Sequence, residues 1–116
     1  MLNEIKIDIA KDFSPYPVGR DENDSAVNGK KFRTEKLAPA VKSALEQDRI
    51  VVIILEGLES VGSSFLEEAF GGLVRNENFT ASQLKSVLKF DYEWPGFKTP
   101  EEQIWEHILR AQREKA

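Results

Sequence analysis

The sequence contains no cysteine, one histidine and one methionine in 116 residues. The missing cysteines exclude disulfides, thiol nucleophiles and thiolate metal sites. With no cysteine beside it, the lone His107 argues against a zinc centre. Positive charge is in deficit as well. Sixteen basic against 20 acidic residues give a net charge of −4, so the footprint of a nonspecific nucleic-acid binder is missing. No apolar run approaches the roughly 20 residues that a membrane-spanning helix needs. The opening residues, MLNEIKIDIAKDF, include acids and lack a small-residue cleavage site; this argues against a secretory signal and makes the cytoplasm the expected location. Walker-type phosphate loops, H-E-x-x-H and the nucleophile elbow are absent too. These gaps point away from an enzyme, a metal centre or a cofactor.

What is present reads as a globular protein. The chain is 41% hydrophobic and 31% charged, and its 116 residues suit a single domain spanning 1–116. Its organising stretch is Ile50–Val74, IVVIILEGLESVGSSFLEEAFGGLV. The apolar, β-branched run Ile50 to Leu55 fits a strand buried on both faces. From Ser63 the period changes: Phe65, Leu66, Ala69, Phe70, Leu73 and Val74 share one helical face. Ser64 followed by Glu67 reads as a capping box. Gly71-Gly72 within that helix costs about 1 kcal/mol per residue against alanine, which points to close approach of another backbone there.

The remaining chain supplies further elements. Ile5, Ile7 and Ile9 alternate with Lys6, Asp8 and Ala10, the mark of a half-buried strand at or near a sheet edge. Phe13 to Gly29, rich in proline, glycine, acids and asparagine, reads as an irregular loop of about 17 residues, long for a compact domain. Leu37, Ala38, Val41, Ala44 and Leu45 share a helical face. Pro39 places that helix's start near Glu35, or else earlier with a kink at the proline. Thr80 is a candidate N-cap for a helix with Leu84, Val87 and Leu88 inward. Leu88 to Tyr92 alternates like a strand, and Trp94-Pro95-Gly96 breaks it. Thr99 then caps a last helix with Pro100 first and Ile104, Trp105, Ile108 and Leu109 on its apolar face. His107 falls at that helix's surface or boundary. Trp94, Phe97 and Trp105 close the core or form an exposed patch. The order argues for an α/β fold, a small mixed sheet of about four strands with helices packed on it.

Two motifs carry a family resemblance. Gly19-Arg20, Asn28-Gly29 and Phe32-Arg33 precede the segment Gly62 to Leu73, GSSFLEEAFGGL. Over residues 13–75 the chain resembles the STAS-like domain family of unknown function (the DUF4325 type), itself similar in pattern to the STAS domains of anti-sigma-factor antagonists. The resemblance leaves 76–116 as a C-terminal strand and helix. It implies a STAS-like α/β domain that acts as a protein-interaction switch. In the antagonists a serine before the helix after the central strand is phosphorylated by a partner kinase, and the phosphate blocks binding. That pattern lays the modified serine on Ser63. Gly62, Phe65 and Ile54 stand where the antagonists carry aspartate, glycine and aspartate. Relatives encoded near or fused to ATPase or DNA-binding modules imply a regulatory partner, of ATPase or kinase-like type.

The leading expectation is a non-enzymatic regulatory domain. Ser63 is its phosphorylation candidate, and its interaction surface comprises Glu59, Ser60, Gly62, Ser64, Glu67 and Glu68 with the 13–33 loop. A phosphate at a helix start meets free amides and the positive dipole end. The competing expectation is a small ligand-binding module or enzyme in which Arg20 and Arg33 grip a phosphate or nucleotide. Asp21, Asp24 and Glu56 are acids with the chemistry for a divalent ion. Charged side chains that meet in closed ion pairs instead would be scaffolding.

Overall fold

The computed structural model describes residues 3–115. Among the described residues three strands, β1 (Glu4–Asp8), β2 (Ile50–Ile54) and β3 (Leu88–Asp91), form one sheet in the order β1-β2-β3, parallel throughout. This corrects the expected mixed sheet of about four strands. Each connection between consecutive strands contains helix, and a helical crossover returns the chain to the same edge, so every neighbour is parallel.

Asp8 closes β1 by accepting the Lys11 N–H, which caps the short α1 (Ile9–Asp12). After the 13–28 loop a longer helical stretch begins, composed of α2 (Gly29–Phe32), a π-helical turn (Arg33–Leu37) and α3 (Ala38–Gln47). Asn28 caps it through the Lys31 N–H at 2.8 Å. The helix therefore starts ahead of Glu35, and a widened turn sits where the kink was expected. The Ala38 N–H reaches the Arg33 carbonyl just before Pro39. Proline has no N–H to give and crowds the carbonyl four residues back; a π turn beside it relieves both problems. Asp48, in the left-handed region at φ 55°, ends α3.

The second helical stretch runs through α4 (Ser63–Leu66), another π turn (Glu67–Gly71) and α5 (Gly72–Arg75). Thr80 and Gln83 form a full capping box at α6 (Ala81–Val87). A 3-10 turn (Pro95–Phe97) leads directly into α7 (Lys98–Lys115). Thr99 therefore lies inside that helix rather than capping it. Pro100 falls in the first turn, where a missing N–H has no helical partner to lose. No helix among the described residues is long and apolar enough to cross a membrane.

One apolar cluster holds these pieces together. Phe32, Leu37 and Val41 of the first helical stretch meet Phe65, Phe70 and Leu73 of the second, and Leu84, Ile104 and Ile108 complete the helical layer. This layer covers the sheet face made by Ile7, Val51, Ile53 and Leu88. Each fully buried large side chain contributes roughly 1.5–3 kcal/mol over the exposed state. His107 belongs inside this layer and not at the boundary: it is 8% exposed, with Ile108 and Ala111 buried beside it, while Leu109 is 49% exposed. Helix α7 is thus rotated toward its Ile104–His107–Ile108–Ala111 stripe. The aromatic trio divides as well. Trp105 packs edge-on to Phe90, whereas Trp94 is 66% exposed and touches Phe97.

Candidate functional site at the carboxyl edge of the sheet

Because the strands are parallel, the loops that follow them gather at one edge, the usual place for sites in open α/β sheets. The loop after β2 is laced to the 13–28 loop by backbone hydrogen bonds. The Pro15 carbonyl accepts from Glu59 N–H at 2.9 Å and from Ser60 N–H at 3.4 Å, and the Pro17 carbonyl accepts from Gly62 N–H at 3.2 Å. Tyr16 donates its hydroxyl to Glu59 at 3.0 Å, which raises the Tyr16 pKa above its ordinary value. Val18 lies against Gly62, where an added Cβ would meet its methyl at 3.4 Å. On the other side Glu56 accepts the backbone N–H groups of Glu93 and Trp94, binding the loop after β3 to the same assembly.

The long loop is tied within itself too. Val18 donates to Val27 at 3.0 Å, Gly29 to Gly19 at 2.9 Å and Lys30 to Arg20 at 2.9 Å. Asp24 accepts the Arg20 N–H at 2.8 Å beside Gly19, whose φ of 89° is the left-handed conformation glycine tolerates. Its irregular sequence therefore hides a fixed shape. The exposed Tyr16, Val18 and Trp94, at 54%, 49% and 66%, all sit on these edge loops.

Ser63 is exposed at the first position of α4, and Gly62 before it is the N-cap. Glycine has no side chain to spend on the free amides, so the helix start carries no side-chain cap. The capping box expected of Ser64 and Glu67 does not form. Ser64 lies two residues past the N-cap position, too far into the helix to cap it, and the Glu67 carboxylate is held by Arg20 and Arg75.

Glu67 and Glu68, expected on the interaction surface, are half-buried in a network with the arginines. Arg20 Nη1 reaches Glu67 at 2.5 Å and Glu68 at 3.5 Å; Arg75 grips Glu67 with two nitrogens at 2.8 and 3.1 Å. Partial burial works against the Glu67 charge, but the hydrogen bonds from Arg75 and Arg20 outweigh it and hold this carboxyl at about 2. The same Glu67 contact raises the Arg20 pKa further. Arg33, only 4% exposed, donates to the Glu68 carboxylate at 2.8 Å, to the Glu68 carbonyl at 2.6 Å and to Glu77 at 3.0 Å.

The glycine pair explains where Arg33 fits. A Cβ on Gly72 would stand 2.2 Å from Arg33 Nη1, and one on Gly71 would stand 2.8 Å from a Glu67 oxygen. The close approach is thus by charged side chains, not by another backbone as expected. Backbone contact of that kind occurs at Gly29, whose Cβ would lie 2.7 Å from the Phe65 carbonyl. The acids Asp21, Asp24 and Glu56 do not converge, since Asp24 and Glu56 are engaged with backbone amides. Among the described residues no cluster of three or more metal-ligating side chains is formed.

The match to a family model runs over residues 28–90, from the Asn28 cap into β3, and that model is described as a STAS-like domain of unknown function (DUF4325). The chain belongs to this STAS-like family. No curated protein and no solved structure matches it. The match starts later than the resemblance read from residues 13–75 and reaches into β3, covering its first three residues. Neither π turn was legible in the sequence. The signals were Pro39 for the first and the Gly71-Gly72 pair for the second, each of which marks a place where regular packing of the helix fails.

Proposed function

We propose that this STAS-like domain is a non-enzymatic protein-interaction module that docks a cytoplasmic regulatory protein, of ATPase or kinase-like type, at the carboxyl edge of its sheet, and that phosphorylation of Ser63 controls the docking. The observation that carries this reading is the state of Ser63: exposed, at a helix start without a side-chain cap, on the edge that also presents Tyr16, Val18 and Trp94. Exposed aromatic and apolar side chains on fixed loops are the raw material of interface hot spots. A phosphate on Ser63 would add about two negative charges beside free helix amides and the Glu56 and Glu59 loop, changing the docking surface without unfolding the helix. Against the phosphate- or nucleotide-binding alternative stands the condition of the arginines: Arg33 is buried with Nε on Glu77 and Nη1 on Glu68, and Arg20 is paired with Glu67 and Glu68.

The test is affinity capture from native lysate with wild type, Ser63→Ala and Ser63→Asp, read by mass spectrometry, with phosphopeptide mapping of the wild type. The expected result is a partner held by wild type and Ser63→Ala and released by Ser63→Asp. A partner held equally by all three would remove Ser63 from the mechanism. If no partner is captured and a nucleotide raises the melting temperature of wild type but not of Arg20→Ala, the ligand-binding reading takes over.

A further inference from the structure

The two faces of the sheet are unequally covered. Register sets Ile5, Ile7, Val51, Ile53, Leu88 and Phe90 on one face, and this face meets the helical layer. On the other, each rung reads across the strands: Glu4 beside Ile50, then Lys6–Val52–Lys89, then Asp8–Ile54–Asp91. Ile50, Val52 and Ile54 lie outside the apolar cluster to which the helices contribute, so among the described residues no helix packs on them. Ile50 and Ile54 are half-buried and Val52 is 6% exposed, flanked in register by Lys6 and Lys89, whose stems are long enough to screen it. Wholly parallel sheets are nearly always covered on both faces, and the unbroken apolar run of β2 is written for burial on both. Here one side has no helix packed on it among the described residues.

We propose that this face is covered by a second copy of the chain, stacked sheet to sheet with its strands antiparallel to the first. The charge pattern selects both the partner and the orientation. A two-fold axis lying along the strands would set Lys6 against Lys89 and Asp8 against Asp91, four like-charge encounters. A two-fold axis lying across the strands, midway between the Val52 and Ile54 rungs, sets each lysine rung against the partner's aspartate rung. Lys6 then meets the second copy's Asp8 and Lys89 meets its Asp91, each pair twice, around a stripe of Val52 and Ile54 from both copies. The face is self-complementary in this one arrangement. With strands about 4.8 Å apart and about 3.3 Å per residue, a sheet this narrow buries less than a standard interface, so the dimer is weak, micromolar or weaker.

Sedimentation equilibrium on the full chain, from about 10 µM to about 1 mM, tests this, with folding of each variant checked by circular dichroism. Wild type is expected to dimerise with concentration, less so as salt rises. Lys6→Glu/Lys89→Glu makes both rungs acidic and should weaken self-association about tenfold or more. Asp8→Asn/Asp91→Lys makes the face basic while asparagine keeps the α1 cap, and should weaken it likewise. Mixed together, the two variants should pair with each other. A wild type that stays monomeric throughout overturns the proposal, and so does a dimer that both variants form unchanged or a mixture that fails to pair.

Discussion

Two polar regions lie one turn apart on the same helical stretch, and they differ in a way that composition conceals. Ser63 and Ser64 open the helix with no side chain engaged in capping it, whereas Glu67 and Glu68 are held by Arg20, Arg33 and Arg75. The second region has far more charge and the stronger geometry, yet its groups satisfy one another. Charge density alone would have marked it as the binding site. Mutual pairing marks it as a clamp that joins the two helical stretches, with Arg33 reaching from one π turn into the other. What is left free is the quieter region beside it, and that is where a modification or a partner has something to change.

The largest expected effect comes from breaking the clamp. Arg33→Ala leaves the Glu68 and Glu77 carboxylates without their buried partner and should cost about 3–5 kcal/mol, measured by urea unfolding. Gly72→Ala attacks the same contact from the other side, because its Cβ falls 2.2 Å from Arg33 Nη1. Overpacking there should cost about 1–3 kcal/mol, and the double variant should be markedly less than additive if Arg33 is what the glycine accommodates.

Acid sharpens the comparison further. The folded Glu67 carboxyl sits at about 2, below its ordinary value of 4.5, so its contribution is complete above pH 4.5 and is lost as pH falls toward 2. Unfolding free energy followed over that window should fall less steeply in Glu67→Gln than in wild type; equal slopes would mean the arginine pairing does not stabilise the fold. His107 adds a separate, milder loss at higher pH. Burial lowers its pKa below 6.5 and neither ring nitrogen has a hydrogen-bond partner, so the unfolded chain takes up a proton first as pH drops through 6.5. Glu67, Arg110, Glu106 and Arg20 surround it electrostatically, and His107→Leu should flatten the curve just below pH 6.5 while leaving the Glu67 window intact.

The smallest effect is expected at the open region. Ser64→Ala removes no cap and should change stability by less than about 0.5 kcal/mol. Thr80→Ala, which dismantles a complete capping box, should cost about 1 kcal/mol. A cost at Ser64 equal to that at Thr80 would mean the helix start is capped after all.

Local sequence determined most of what lies within one element. The alternation of Ile5 and Ile7, the apolar run of β2, the cap at Thr80 and the apolar face of Phe65 to Val74 follow from side-chain period and from which residues can satisfy free backbone amides. The GSSFLEEAFGGL segment was enough to indicate the family. Contacts between distant segments decided the rest. Whether Ser64 or Gly62 caps a helix depends on the competition for Glu67, and Arg20 and Arg75 won it from 47 and eight residues away. That His107 points inward depends on how α7 rolls against the second helical stretch, and that Arg33 is a clamp depends on a glycine in another helix leaving room for it. The second sheet face shows the limit most plainly: the sequence of β2 asks for cover on both sides, and only the arrangement of the helices reveals which side was left without it.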